Sequence, residues 1–137
     1  MTTLHASAVA VDGRGLLILG PSGAGKSALA LRLMAVGARL VADDRVVLTS
    51  DGAGLVASCP AALAGRIEAR GIGILNATAL TAVPVALVVD LGQVEHDRLP
   101  PRRTVTIRGV TLPLVLGPVT AHLPAALRQM LLAGRSD

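Results

Sequence analysis

Short apolar runs separated by glycine, proline and acidic residues dominate this chain, and the pattern predicts many strands and few helices. Apolar residues recur at helical spacing in two segments, 27–36 and 124–132, and a glycine that favours helix termination follows each of them. In the first helix, Leu29, Leu33 and Val36 share the predicted buried face. The predicted strands span residues 4–11, 16–19, 39–42, 45–49, 55–58, 84–90 and 104–116, the last interrupted at Gly109 and Pro113.

The segments between these elements are of three kinds. Residues 60–64 predict one helical turn, and the polar stretch 93–103, with two consecutive prolines, predicts a loop. Residues 65–76 carry three glycines around Glu68 and Arg70, a composition that is unusual for an ordinary core strand. This last segment is therefore a candidate for a functional role.

Length and composition predict one compact domain over residues 1–137, with a core of aliphatic side chains. The chain is 52% hydrophobic but contains no Phe, Tyr or Trp. The lack of aromatic side chains argues against nucleic-acid binding by base stacking, and the positive charges are scattered. The densest cationic cluster is only Arg98, Arg102 and Arg103, so we expect no nucleic-acid partner.

The single cysteine and the hydropathy pattern bear on compartment. Cys59 has no partner for an internal disulfide, and we expect it to be a small buried hydrophobic residue. The first eight residues lack the basic stretch and apolar run of a secretory signal. No apolar run approaches the roughly 18 residues that cross a bilayer. A cytoplasmic protein without membrane association is expected.

One motif carries clear chemistry. Gly20-Pro21-Ser22-Gly23-Ala24-Gly25-Lys26-Ser27 matches the Walker A pattern, between a predicted strand and a predicted helix. Such a loop turns several N–H groups toward one phosphate at a helix N-terminus. Lys26 would reach the terminal phosphates, and the Ser27 hydroxyl would bind Mg²⁺. Lys26 is also the only lysine among 13 cationic residues, which suggests a position where arginine does not serve. We predict binding of a purine nucleoside triphosphate, ATP with Mg²⁺.

Two acidic positions compete for the metal and the nucleophile. Asp90 ends the apolar run 84–90, as a Walker B aspartate does, whereas Asp43 and Asp44 end a strand much closer to the phosphate loop. Adjacent carboxylates beside a phosphate site can divide the work, one ordering metal or water and the other accepting a proton from a hydroxyl nucleophile. Spacing alone leaves both positions open, and each could instead be an ordinary strand end.

The motifs together resemble the kinase domain of HPr kinase/phosphorylase. The resemblance is carried by His5 on the first strand, the phosphate loop 20–27, the segment 39–44 and the glycine-rich stretch 67–76, with a weaker match at 97–99. It covers roughly the first hundred residues, and the stretch 67–76 is specific because it is not a general feature of phosphate loops. The resemblance implies an α/β P-loop kinase domain of the HPr-kinase/PEP-carboxykinase type, with a mixed twisted sheet.

The resemblance also implies roles for individual residues. His5 and Lys26 are expected to be catalytic, and Ser27 and Glu68 to hold Mg²⁺. The acidic pair Asp43 and Asp44 supplies the base that deprotonates the acceptor serine, and we favour Asp44 for that role. In addition, Arg98 is expected to stabilise charge on the transferring phosphoryl group. His96 and His122 have no matching role in the family and are expected to lie at the surface.

The chain departs from the family toward its C-terminus. The family carries an arginine-rich loop that serves phosphorolysis, and the corresponding stretch here, residues 112–119, lacks those arginines. The family's N-terminal domain has no counterpart in this sequence, and the chain resembles the short versions found in alphaproteobacteria. The sequence therefore favours the kinase direction over the phosphorylase direction.

These observations predict an ATP- and Mg²⁺-dependent serine kinase that acts on HPr or an HPr-like phosphocarrier protein of the phosphotransferase system. Family members assemble through this domain, commonly as hexamers, so a homo-oligomer is expected. Two alternatives stay open: a regulatory module that binds ATP without transferring phosphate, and a small-molecule kinase that uses the same fold.

Overall fold

The computed structural model describes all 137 residues, Met1–Asp137. Eleven strands and two helices follow one another along the chain, with a short 3-10 turn at Ala61–Leu63. The helices are α1 (Lys26–Ala35) and α2 (Leu123–Ala133). The strands are β1 (Thr2–Leu4), β2 (Ser7–Val11), β3 (Arg14–Leu19), β4 (Arg39–Ala42), β5 (Val46–Ser50), β6 (Leu55–Ser58), β7 (Arg66–Ala69), β8 (Gly73–Asn76), β9 (Ala82–Val94), β10 (Arg103–Ile107) and β11 (Val110–Gly117).

Nine strands form one mixed sheet, which confirms the predicted fold class. Their order is β1-β5-β6-β9-β3-β2-β4, and β11 pairs both with β9 and with β10. The central strand β9 is parallel to β3 and β11 and antiparallel to β6. The remaining pairs, including the separate two-stranded hairpin β7–β8, are antiparallel.

The sheet separates two apolar cores. The alternation of side chains along a strand places Leu16 and Ile18 of β3 in the core beneath the helices, and Leu17 in the core on the opposite side. Helices α1 and α2 cover the first core with side chains such as Leu29 and Leu127. Because β3 is buried on both sides, it is a continuous apolar run rather than an alternating one.

Several predicted boundaries require correction. The strand predicted at 4–11 is interrupted at His5. Before this break β1 pairs with β5, whereas after it β2 pairs with β3 and β4. Pro113 does not break β11: it pairs with Thr104 of β10, and the ladder with β9 begins only at Leu114. Val36 follows the last turn of α1 and is 40% exposed instead of sharing the buried face of Leu33.

Helix lengths also bear on membrane association. The two helices have 10 and 11 residues, and neither is long and apolar enough to cross a membrane.

Candidate functional site

The phosphate loop leaves the end of β3 and leads directly into α1, as the motif predicted. Gly25 precedes the helix with φ of 97°, a left-handed conformation that glycine adopts without strain. Gly20 is equally constrained, since a Cβ there would lie 3.1 Å from the Cβ of Ala24. The glycines thus allow a tight turn directly before the N-terminus of α1, which is the positive end of the helix dipole.

Lys26 lies in the arch of this loop. Its Nζ donates hydrogen bonds to the carbonyl oxygens of Gly20 at 2.7 Å and Pro21 at 3.0 Å. The residue is only 8% exposed. The backbone therefore holds the ammonium group at the mouth of the turn, where a phosphate held by the loop N–H groups would meet a compact positive charge.

Asp43 is the centre of the hydrogen-bond network beside the loop. Its Oδ1 accepts from the hydroxyls of Ser27 at 2.7 Å and Ser7 at 2.8 Å, and its Oδ2 accepts from the N–H of Glu68 at 3.0 Å. The residue is 5% exposed, so these three donors satisfy a buried carboxylate. Asp43 thereby ties together β2, α1, the end of β4 and the hairpin β7–β8.

Asp43, Asp44 and Arg45 form a three-residue turn with Asp44 at its centre. The N–H of Arg45 donates to the carbonyl of Asp43 at 2.8 Å, and Asp44 between them has φ of 68°. Such a turn is uncommon and strained, although aspartate tolerates a left-handed conformation better than most residues. As a result, the carboxylate of Asp43 is buried in the network, whereas Asp44 is exposed. The adjacent carboxylates therefore occupy different environments.

Asp44 pairs with His5. His5 Nδ1 lies 3.2 Å from Asp44 Oδ1, and both side chains are 56% exposed. The interruption between β1 and β2 places His5 at the surface, while the next two residues, Ala6 and Ser7, are buried. The structure thus brings together two residues 39 positions apart that the sequence singled out separately, and leaves both accessible to a second molecule.

Ser7 is a member of the network that the sequence analysis did not identify. It is 0% exposed and its hydroxyl has the buried Asp43 carboxylate as acceptor. The only local signal is one serine within an otherwise apolar strand, which is too weak to imply a role.

We expect Ser7→Ala to lower the free energy of unfolding by about 1–2 kcal/mol, because it removes a buried hydrogen bond to a charged acceptor. Urea denaturation of the variant and the wild type would measure the change. Ser136→Ala, at an exposed serine, is the matched control. Equal stability of Ser7→Ala and the control would contradict the importance of this bond.

The side chains of the remaining predicted residues make no hydrogen bond with the Asp43 network. Glu68 contributes its N–H to Asp43, but its side chain is exposed and makes no hydrogen bond or ion pair with Arg70 or any other residue. Asp90 instead accepts hydrogen bonds from Gly92 N–H and Gln93 Nε2, both at 2.8 Å, which stabilise the end of β9. The Ser27 hydroxyl therefore faces Asp43 and not Asp90. Arg98 is exposed in the loop after β9 without a hydrogen bond or ion pair, and its role stays a prediction.

An ion pair closes the base of the loop that carries Arg98. Arg103 Nε and Nη2 donate to the two carboxylate oxygens of Glu95 at 2.7 Å and 2.9 Å. This hydrogen bonding, with smaller contributions from the N–H groups of Asp97 and His96, lowers the pKa of Glu95 from 4.5 to about 2. The loop is therefore anchored at neutral pH.

We expect a carbon-13 NMR titration of the Glu95 carboxyl to have its midpoint near pH 2, and Arg103→Gln to move it toward 4.5. Because the pKa is lower in the folded chain, the pair contributes its full stabilisation above about pH 4.5 and loses it as the pH falls through about 2. A wild-type midpoint at the ordinary value would show that the pair does not form in solution.

Cys59 lies near Asp43. It is half-buried against the second core rather than fully buried as predicted. Burial raises the pKa of the Cys59 thiol, and the nearby charge of Asp43 raises this pKa further. The thiol is therefore protonated at neutral pH and is a poor nucleophile.

Oxygen donors suited to Mg²⁺ are present beside the loop. Mg²⁺ in nucleotide sites takes one or two carboxylates together with waters and phosphate oxygens. Ser27 Oγ and Asp43 Oδ1 lie 2.7 Å apart at the start of α1 and match this requirement. No group of three or more His, Cys, Asp or Glu side chains is arranged for a metal that the protein would hold by itself.

Known proteins resemble this chain in sequence and in fold. The HPr Serine kinase C-terminal domain family matches residues 1–123. An HPr kinase/phosphorylase of Limosilactobacillus reuteri is 42% identical over 130 residues, which are 85% of this chain and 41% of that protein. One from Clostridium botulinum is 46% identical over 79 residues, 58% of this chain and 26% of that protein. The chain thus spans less than half the length of these relatives.

A solved structure matches along nearly the whole chain. The Hpr(Ser) kinase/phosphatase from Coxiella burnetii is 30% identical, with a TM-score of 0.80 over 96% of this chain and 94% of that one. The fold, the position of the phosphate loop and the family match lead to the same assignment. This chain belongs to the HPr serine kinase C-terminal domain family.

Proposed function

We propose that this chain is an ATP- and Mg²⁺-dependent kinase that phosphorylates a serine of HPr or an HPr-like phosphocarrier protein of the phosphotransferase system. The observation that carries the proposal is the divergence of two adjacent carboxylates beside a phosphate loop. Asp43 is bound to the loop hydroxyl of Ser27, and Asp44 is exposed toward solvent with His5. The names of the relatives support HPr as the acceptor.

The loop residues Gly20, Pro21, Ser22, Gly23, Ala24, Gly25, Lys26 and Ser27 hold the phosphates of ATP in this proposal. Lys26 exchanges its bonds to the loop carbonyls for bonds to phosphate oxygens, and the helix dipole adds positive potential. Ser27 and Asp43 hold Mg²⁺, with Glu68 available from the hairpin. Bound there, the ion neutralises phosphate charge and orients the terminal phosphoryl group.

Asp44 is the base in this proposal. Its carboxylate accepts the proton of the acceptor hydroxyl as the hydroxyl oxygen bonds to the terminal phosphorus and the bond from phosphorus to the bridging oxygen of ADP breaks. His5 orients Asp44 through the 3.2 Å contact. Arg98 stabilises the transferring group, the role that the family resemblance implies for it. We propose the kinase direction alone, because the corresponding family loop is here part of the regular strand β11 and lacks arginine.

Phosphate transfer from γ-labelled ATP to the HPr of the same organism tests this function. Label on an HPr serine that requires Mg²⁺ would establish the activity. Absence of label despite tight binding of Mg-ATP would overturn it. That second result would favour a nucleotide-binding regulatory module, the candidate to which the missing arginines of residues 112–119 also point.

We further propose that the chain forms a homo-oligomer, as the family resemblance implies. Light scattering should give a mass that is a multiple of 13.8 kDa. A mass of one chain across the accessible concentration range would refute the proposal.

A further inference from the structure

A large cavity lies between helix α2 and the ribbon formed by β10 and β11. Its volume is about 670 Å³, which is within the range of roughly 300–1,000 Å³ that small-molecule sites occupy. The loop after β9 and the residues that follow α2 complete its wall. No residue of the phosphate loop and no member of the Asp43 network lines it. The proposed function therefore leaves this cavity without a role.

The walls of the cavity are aliphatic. Helix α2 contributes Leu127, Met130 and Leu131, and β11 contributes Leu114 and Val115. Since the chain contains no aromatic residue, nothing in the wall can stack on a planar ring. A methionine side chain is flexible and adapts to the shape of its neighbours. The cavity therefore suits a flexible aliphatic group.

Two arginines at the rim of the cavity converge on one residue, Asp137. Arg135 Nε and Nη2 donate to the two carboxylate oxygens of Asp137 at 2.9 Å and 3.0 Å. Arg102 directs its Nε, at 2.9 Å, and its Nη2 to the main-chain oxygen of the same residue. Paired N–H donors of a guanidinium group match the planar oxygens of a carboxylate. The rim is therefore arranged to bind a carboxylate, and Asp137 occupies it.

Asp137 is a weakly held occupant. Its side chain is 62% exposed, and an ion pair so open to water contributes little stability. Arg103, which also lies at the rim, is already paired with Glu95, whereas no side-chain carboxylate forms an ion pair with Arg102. A carboxylate from outside can therefore replace Asp137, and an aliphatic chain attached to it gains the apolar walls as well.

We propose that this cavity binds an organic monocarboxylate with an aliphatic chain. Its head group replaces the Asp137 carboxylate on Arg135 and Arg102, and its chain lies along α2 and β11. Both parts of the ligand contribute, because water weakens the ion pairs at the rim and the aliphatic walls alone fix no orientation. Binding is reversible and forms no covalent bond.

Calorimetry with octanoate, decanoate and octanol, each below its solubility limit and its micelle concentration, tests the proposal. We expect decanoate to bind about tenfold more tightly than octanoate, because two further methylene groups leave water. Octanol has the chain length of octanoate without the carboxylate, and it should bind about tenfold more weakly than octanoate or worse. Absence of decanoate binding would overturn the proposal, as would equal Kd values within either comparison.

Methionine methyl NMR locates the bound chain. The sequence has three methionines, and only Met130 lines the cavity, whereas Met34 lies on α1. Decanoate should shift the carbon-13 methyl signal of Met130 and leave the signal of Met34 in place. A shift of Met34 without a shift of Met130 would place the ligand elsewhere and refute this site.

Two pairs of variants test the walls and the rim separately. Ala125 and Ala126 are adjacent exposed residues of α2, but only Ala126 lines the cavity. Ala126→Trp should abolish decanoate binding by filling the cavity, and Ala125→Trp should retain the wild-type Kd. At the rim, Arg102→Gln combined with Arg135→Gln should weaken binding about tenfold or more. Arg66→Gln, at an exposed position of the hairpin β7–β8, is the matched control and should bind as the wild type does.

Asp137→Asn removes the competing carboxylate and should bind decanoate at least as tightly as the wild type. Weaker binding by this variant would contradict the proposal, as would an equal loss in both members of either pair. An unaltered Kd in Ala126→Trp would overturn it even if the arginine variants fail to fold. None of these measurements involves phosphate transfer, so their outcome is independent of the proposed kinase function.

Discussion

Lys26→Ala should abolish phosphate transfer while leaving the fold intact. The substitution removes the only lysine, whose ammonium group is held inside the phosphate loop by the carbonyls of Gly20 and Pro21. Loss of a preorganised charge of this kind lowers catalytic rates by about 10²–10³-fold or more. We also expect weaker binding of Mg-ATP, since the same charge contacts the phosphates before transfer. Label transfer and calorimetry would measure the two effects.

Two further variants make this result specific. Arg32→Ala removes a positive charge from an exposed position on the same helix and should transfer phosphate at the wild-type rate. Lys26→Arg keeps the charge but introduces a planar group into a site shaped for a compact one, so it should remain strongly impaired. Wild-type transfer by Lys26→Ala, in a chain that still unfolds at the normal temperature, would show that the loop is not the phosphate site.

Asp44→Asn should retain Mg-ATP and lose phosphate transfer, by about 10²–10⁴-fold, the usual contribution of a general base. Asparagine is the suitable replacement because Asp44 has φ of 68°, a conformation that asparagine tolerates and most residues do not. The variant thus removes the proton acceptor without straining the turn at Arg45. Label transfer at saturating ATP, together with the Kd of Mg-ATP, would separate the base from a binding role.

Asp43→Asn is the informative comparison for this experiment. It changes a buried group that accepts three hydrogen bonds, including one from Ser27, so it should weaken Mg-ATP binding and lower stability as well as activity. If instead Asp44→Asn transfers phosphate normally while Asp43→Asn is inactive only in transfer, the base assignment is reversed.

Local features of the site could be predicted from the sequence, because they depend on short segments. The Walker A motif specifies a strand, a loop and a helix in succession, and the structure has β3, the loop and α1 in those places. The strand β4 was predicted with its observed bounds, because two acidic residues directly after a short apolar run mark where the strand ends. The same argument explains why β9 was predicted too short. Its last four residues include Gly92 and Gln93, which are typical of a loop.

Features that depend on distant contacts could not be predicted. Ser7 and Asp43 are 36 positions apart, and nothing near Ser7 in the sequence indicates that a carboxylate faces it. The different environments of Asp43 and Asp44 follow from a strained turn that no propensity rule indicates. Likewise, spacing alone left Asp90 and Asp43 as equal candidates. The family resemblance favoured Asp43 and Asp44, but only the hydrogen bonds of the folded chain show that Asp43 faces Ser27 whereas Asp90 does not.

The central strand β9 contributes to both apolar cores and also contacts the phosphate loop. Its 13 residues pair with β6 near the start, and along residues 88–90 they pair with β3 on one edge and with β11 on the opposite edge. The residues after Asp90 lie against the phosphate loop. Neither apolar core can open without releasing this strand, since Leu87 and Val89 lie in one core and Val85 and Val88 in the other. Unfolding is therefore expected to be a single cooperative event, in which the backbone amides of β9 exchange with solvent last.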